Sequence, residues 1–243
     1  MDKKELTIIE HLVEFRKRLL AIVICFSLVF CLSLLFADQV YQYITQGFSQ
    51  KLIVLGPNDI LWIYLRLASL MAFSLTLPYT VYQVWCFVRP ALKTEEVGPI
   101  FAYIPATFLC FILGLAFGFY FITPALLQVL LGLGENLFEK QLTAQNYLAF
   151  VFQTTVPLAF IFELPVIIGF LTSIGFIGPS LLITYRRYAY FILLVLAVIL
   201  TPADFVSDLA MTVPLILLYE ISIALSKRIK KRKMKGEENG NLT

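Results

Sequence analysis

An all-α polytopic membrane protein with six transmembrane helices and both termini cytoplasmic (N-in/C-in) is the fold class this sequence predicts, from three observations. The chain of 243 residues is 60% hydrophobic and only 14% charged, with a mean hydropathy of +0.85. A soluble domain is not built that way. Its apolar residues fall into six runs with short polar breaks, and a helix needs about 20 such residues to cross the hydrocarbon core. The basic residues divide unequally: with the N-terminus inside, the inner segments hold 16 of the 19 Lys and Arg, which fixes both termini on the cytoplasmic side. Only Lys51, Arg66 and Lys140 fall outside.

Residues 1–18 place Ile8, Ile9, Leu12, Val13 and Phe15 broadly on one side of a helix with Lys, Arg and Glu between them. This pattern predicts an amphipathic helix at the membrane surface that feeds the six-span membrane domain, 19–226. Span one covers 19–36 and ends at Leu34-Leu35-Phe36-Ala37-Asp38-Gln39 without a small-x-small cleavage site, so it is expected to be retained. A polar stretch from Ala37 to Asp59 closes on the turn signal Gly56-Pro57-Asn58-Asp59. Span two, 60–87, carries Arg66 near its outer end and a bend at Pro78; span three is 100–122.

Span four, 147–173, holds one acid, Glu163, in an otherwise uncharged run. A carboxylate at mid-membrane costs roughly 2.5 to 3.5 kcal/mol or more, so it is expected against protein or water. Pro157 and Pro165 flank it, and each removes a backbone donor and tends to bend the helix. A bent helix with a buried acid suggests a binding face; the plainer alternative is a Glu bonded to a neighbouring carbonyl in a structural role.

Spans five, 189–200, and six, 209–225, are short. A dozen apolar residues reach roughly 18 Å, and the deficit against the bilayer is met by thinning or by drawing the connecting Thr201–Asp208 segment below the lipid surface. That brings Thr201, Asp204 and Asp208 into the membrane as a second polar feature, unless the segment is an ordinary solvated hairpin. Residues 227–243 form a basic tail expected to be flexible and to meet anionic lipid. No nucleic-acid role is expected of it.

The four cysteines show no metal-ligand or C-x-x-C spacing and read as small core hydrophobes. The single His11 lies before the first span, so neither a histidine metal site nor a Ser–His hydrolase at membrane depth is available, and no H-E-x-x-H occurs. No catalytic residue, metal site or cofactor is expected. Proline-broken spans and a buried acid also suit a proton-coupled small-solute transporter. The unequal lengths of the early and late spans argue against its two equivalent halves.

Several stretches converge on one family. His11-Leu12-Val13-Glu14-Phe15-Arg16-Lys17-Arg18 is similar to H-L-x-E-L-R-x-R, departing at Phe15. Tyr82-Gln83-Val84-Trp85-Cys86-Phe87, then Pro90-Ala91-Leu92 and Glu96, follow in order, with Phe162-Glu163-Leu164-Pro165 and Leu200-Thr201-Pro202-Ala203-Asp204 beyond. On these residues the chain resembles TatC, the C subunit of the bacterial twin-arginine protein translocase, over nearly its whole length. The resemblance implies a concave bundle in the bacterial cytoplasmic membrane. It implies a receptor for the Arg-Arg signal peptides of folded cargo, which are exported by the proton-motive force. Glu14 and Glu96 take the family's recognition acids, joined at the site by Pro78, Arg16, Gln83 and Phe87. Two guanidinium groups need bidentate carboxylate acceptors, and lysine lacks the planar fork. The alternative for Glu14 is internal pairing with Lys17 or Arg18 at helical spacing. The family usually has a basic residue after the loop acid, whereas Val97 follows Glu96 and Glu95 precedes it; which of the two acids leads is open. Glu163 takes the intramembrane polar site. Small single-span subunits of the TatA/TatB type are implied to dock at Thr201, Asp204 and Asp208, and the receptor complex is implied to be a homo-oligomer.

Overall fold

The computed structural model describes residues 8–46, 52–88, 103–133, 142–200 and 205–240. Among them the secondary structure is helical throughout, with one isolated backbone bridge, Ile53 to Thr143, and no strand. Four stretches are long and apolar enough to cross a membrane: Leu12–Leu34, Pro57–Phe87, Tyr103–Gly132 and Ala144–Ser173.

One compact unit is built from α1 (Ile8–Leu34), α2 (Ala37–Thr45), α3 (Pro57–Val88) and the start of α4 (Tyr103–Phe117), as far as Phe108. The expected surface helix and first span are a single unbroken helix, because no glycine or proline interrupts residues 8–34. Its flanks expose Leu19, Leu20, Val23, Ile24, Leu28 and Leu32, as a lipid-facing helix does. The other side packs on α3, where Phe26 meets Phe73 at 4.8 Å and Phe15 meets Phe87 edge-on at 5.6 Å between ring centroids. The polar stretch after span one contains α2, held to α3 by a hydrogen bond from the Tyr64 hydroxyl to Asp38. Pro57 opens α3 at the position where its missing N–H costs nothing. Pro78 lies inside α3, which continues to Val88 although the Ser74 carbonyl loses its helical donor.

The second unit comprises residues 52–55 and everything after Phe108. Here α4 passes through a single π-helical turn, Gly118–Ile122, into α5 (Thr123–Leu133), so the helix expected to end at 122 runs eleven residues further. α6 (Ala144–Ile161) starts with Thr143 as N-cap, whose hydroxyl accepts from the Asn146 N–H at 3.2 Å. The chain of span four then breaks, and α7 (Leu164–Ser173) resumes after Glu163. α7 ends on Gly175 at φ +76°, with Phe176 N–H bonded to the Leu171 carbonyl and Gly175 N–H to Thr172. This is the left-handed helix stop that glycine adopts without a Cβ clash.

A short α8 (Pro179–Thr184) leads into α9 (Arg186–Leu200) and α10 (Phe205–Gly240). α9 begins three residues before the expected start of span five, yet its 15 residues still reach only about 22 Å. α10 carries on past the expected end of span six, and residues 227–240 are helical. The core of this unit is Ile122, Leu126, Leu158, Ile168, Leu182, Leu193, Met211, Leu215, Tyr219 and Ile223. Span four is thus the spine on which α5, α9 and α10 pack.

Candidate functional site

Glu14 and Arg18 stand one helical turn apart on α1, and their side chains are 24% and 25% exposed. Arg18 Nε donates to Glu14 Oε1 at 3.0 Å, and Nη2 bonds the same oxygen. The remaining nitrogen, Nη1, donates across to Gln83 Oε1 on α3 at 3.2 Å. Gln83 is held in turn by its own Nε2, which donates to the Tyr79 hydroxyl at 2.6 Å. Glu14, Lys17, Arg18, Ala21 and Gln83 line a cavity of ≈ 280 Å³. A carboxylate at the edge of such a cavity is an acceptor for a cationic ligand.

The α1–α3 pairing therefore joins two of the sequence-predicted residues, Glu14 and Gln83, through Arg18, which was not among them. Phe87 sits beside Phe15 at the same end of α3, while Arg16 points outward and is exposed. Pro78 is half-buried in α3, just over one turn before Gln83. Glu96 and Glu95 lie outside the described residues. The internal pairing weighed as the alternative for Glu14 is present, with Arg18 as the partner.

In the second unit Glu163 is 5% exposed and stands at the head of α7. The physical cause of the break is Pro165, whose missing N–H and ring deny the Ile161 carbonyl its helical bond. Glu163 N–H instead bonds the Phe160 carbonyl at 3.1 Å, and its own carbonyl accepts from Ile167 at 2.9 Å. The acid is thereby set at the positive end of α7, where an N-terminus favours negative charge. α4 holds the break from the side: a Cβ on Gly114 would lie 2.6 Å from Ala159 Cα and 2.9 Å from Phe162 Cβ. Gly118, four residues on, meets Thr155 as closely, a small-xxx-small contact that brings two helices together. Just past it, the Thr123 hydroxyl bonds Thr154 at 3.1 Å and Thr155 at 3.4 Å.

Asp208 is half-buried in the first turn of α10, and Thr212 Oγ1 bonds its carbonyl at 2.7 Å. Thr201 and Asp204 lie outside the described residues. A polar group that sequence reasoning missed clamps α9 to α10: Arg186 Nη2 donates to Glu220 Oε2 at 2.9 Å, and the Tyr190 hydroxyl bonds Oε1. The available signal was Glu220 itself, a second acid inside an apolar run. Among the described residues no group of three His, Cys, Asp or Glu is placed to hold a metal, and the four cysteines are free thiols.

A helical membrane protein with a half-buried carboxylate facing a cavity and a second acid buried at a broken span is the class these features define. Within that class the family is shown by similarity. The profile of Sec-independent protein translocase protein (TatC) matches residues 10–214, and the chain belongs to that family. It is 37% identical over 237 residues to Sec-independent protein translocase protein TatCd of Bacillus subtilis (strain 168), covering 98% of each chain. With TatC of Aquifex aeolicus (strain VF5) it shares 32% identity over 92% of this chain and 96% of that one. A crystal structure described as the twin-arginine translocase receptor TatC superposes with a TM-score of 0.78 at 31% identity, over 91% of this chain and all of the other.

Proposed function

We propose that this chain is the signal-peptide receptor and core subunit of a twin-arginine translocase. It exports folded proteins that carry Arg-Arg signal peptides, and it is a transport subunit rather than an enzyme. Family membership supports that role. The observation that carries the site assignment is Glu14, a quarter-exposed carboxylate that already binds a guanidinium at the edge of a cavity. A group that accepts Arg18 in that geometry accepts the arginine of a peptide by the same chemistry. Glu96 supplies the second carboxylate from the segment after α3, while Gln83, Phe87, Arg16 and Pro78 shape the site around Glu14.

The finer reading is a six-span bundle in the bacterial cytoplasmic membrane with both termini inside, α9 and α10 being the two short spans. Glu163 receives the apolar part of the signal or a polar group of a partner helix. Single-span partner subunits dock where Thr201, Asp204 and Asp208 lie, and several copies of the receptor assemble together. Binding of an Arg-Arg signal peptide and its Lys-Lys counterpart to purified protein tests the site. The Lys-Lys peptide is expected to bind about tenfold more weakly or worse, and Glu14→Gln or Glu96→Gln to remove the preference. Equal binding of both peptides overturns the assignment. Impermeant thiol labelling of single cysteines placed at either end of the chain, in a variant whose four native cysteines are replaced, tests the topology; modification from the external side overturns it.

A further inference from the structure

We propose that Arg18 is the receptor's own stand-in for a signal-peptide guanidinium, and that an incoming arginine must displace Arg18 from Glu14, so that the internal pair holds the affinity for signal peptides down. This rests on the reading of Glu14 as a recognition acid. Before any ligand arrives, Glu14 Oε1 already accepts from both Nε and Nη2 of Arg18, the former at 3.0 Å. The binding carboxylate is therefore occupied by the kind of group it is built to select.

The geometry also supplies a place for the displaced group. Arg18 Nη1 is bonded at 3.2 Å to Gln83 Oε1, and the Tyr79 hydroxyl fixes Gln83 from behind at 2.6 Å. One end of the guanidinium thus rests on an exchangeable acceptor on its own helix and the other on an anchored acceptor of α3. Both members of the ion pair are about a quarter exposed and line the ≈ 280 Å³ cavity. An incoming guanidinium approaches Glu14 from that cavity, and Arg18 pivots about Gln83 to release it.

The exchange weighs on every cationic ligand alike. A peptide arginine replaces one planar, charge-assisted contact by another of the same kind, whereas a peptide lysine brings a compact ammonium without the fork. The cost of releasing Arg18 is common to both, so the preference between them is set at the acid, and the incumbent lowers both affinities by the same factor. If Arg18 served only to position Glu14, its removal would weaken binding of the Arg-Arg peptide. Exchange demands the opposite sign.

The test uses the full-length protein in detergent with Arg-Arg and Lys-Lys peptides and the variants Arg18→Gln and Arg18→Lys. With Arg18→Gln both peptides are expected to bind about fivefold more tightly or better, by the same factor, with the preference for arginine kept. Arg18→Lys retains the charge beside Glu14 but not the fork, so it is a weaker incumbent and is expected to raise both affinities by a smaller factor. Should Arg18→Gln not fold, this variant decides; Arg-Arg binding that is unchanged or weaker overturns the proposal. In the unsubstituted protein, the ¹⁵N–¹H resonance of Arg18 Nε is expected to shift when unlabelled Arg-Arg peptide saturates the site. A resonance that stays in place also overturns it. Glu14→Gln distinguishes the two failures. Peptide binding insensitive to that change removes the recognition reading itself, whereas sensitive binding with a static Arg18 removes only the exchange.

Discussion

Glu14 and Glu163 are both carboxylates in apolar helices, and the chain treats them in opposite ways. Glu14 is 24% exposed, lies on an unbroken helix and is bonded to a cation one turn away. Glu163 is 5% exposed and occupies the gap between two helices, with the head of α7 beneath it. The first acid is bonded to a side chain that can swing aside, while the second lies in a gap whose shape is set by fixed backbone. A group meant to exchange ligands needs the former arrangement, because side-chain rotation disturbs little else. Backbone that surrounds a buried acid is set by the packing of α4 and α6 and changes only if the helices move.

The comparison is broken most severely by charge reversal at each acid. Glu163→Lys puts a cation at the positive end of α7 in a site closed to water, and it is expected to cost about 3–5 kcal/mol, comparable to stranding a buried charge. Thermal unfolding in detergent reads this as a large fall in midpoint. Glu14→Lys, on an accessible helix surface, is expected to cost no more than about 1 kcal/mol. Comparable losses at the two positions would mean that Glu14 is as much a part of the packed structure as Glu163.

Next in size is the effect of Glu14→Gln on binding. A charge-assisted hydrogen bond contributes about 1.5–3 kcal/mol, so the Arg-Arg peptide is expected to lose roughly ten- to a hundredfold in affinity. Glu163→Gln, which retains the shape of the side chain, is expected to leave that affinity within about twofold, since it alters no group on α1 or α3. Titration of each variant with the same peptide checks both expectations. An equal loss from the two substitutions would show that the charge of Glu163 contributes to signal binding as much as that of Glu14.

How much of this was legible in the sequence depended on whether the cause was local. Hydropathy marked the long helices, Pro165 marked the bend beside Glu163, and the His11–Arg18 motif marked the α1 site. The close packing beside the break, with Gly114 of α4 lying against Ala159 and Phe162, joins residues some 45 apart in the chain. The clamp between Arg186 and Glu220 spans 34 residues, so the acid in its apolar run was visible in the sequence but its partner was not. Arg18 was considered only as a possible neighbour of Glu14, because its contact with Gln83 appears once α1 and α3 are paired. The helical continuation of α10 through residues 227–240 follows a local signal, since Lys, Arg, Met and Glu are good helix formers.

The glycine contact gives the third effect. Gly114→Ala places a methyl group 2.6 Å from a backbone atom of α6, so the helices must separate. Overpacking of this kind costs about 1–3 kcal/mol. Because the displaced residues are Ala159 and Phe162, the damage should extend to the Glu163 break, and amide hydrogen exchange of Leu164–Ile167 is expected to accelerate. Gly132→Ala, in open space on α5, is the control and is expected to be neutral or slightly stabilising. Equal effects at the two glycines would remove α4 as the support of the break.

The smallest effect concerns the hydroxyls that join α7 to α10. Thr172 Oγ1 bonds the Ile168 carbonyl at 2.7 Å and lies 2.8 Å from Ser226 Oγ, with both side chains buried. Hydrogen bonds between membrane helices average about 0.6 kcal/mol, so Thr172→Val should lower the unfolding midpoint only slightly. Ser226→Ala alone removes the other half of the pair and should do the same. Removing both hydroxyls leaves no buried polar group seeking a partner, and such paired replacement is nearly neutral. The double variant is therefore expected to be less destabilised than the sum of the single changes. A strictly additive result would mean that the two hydroxyls act separately, each on its own helix.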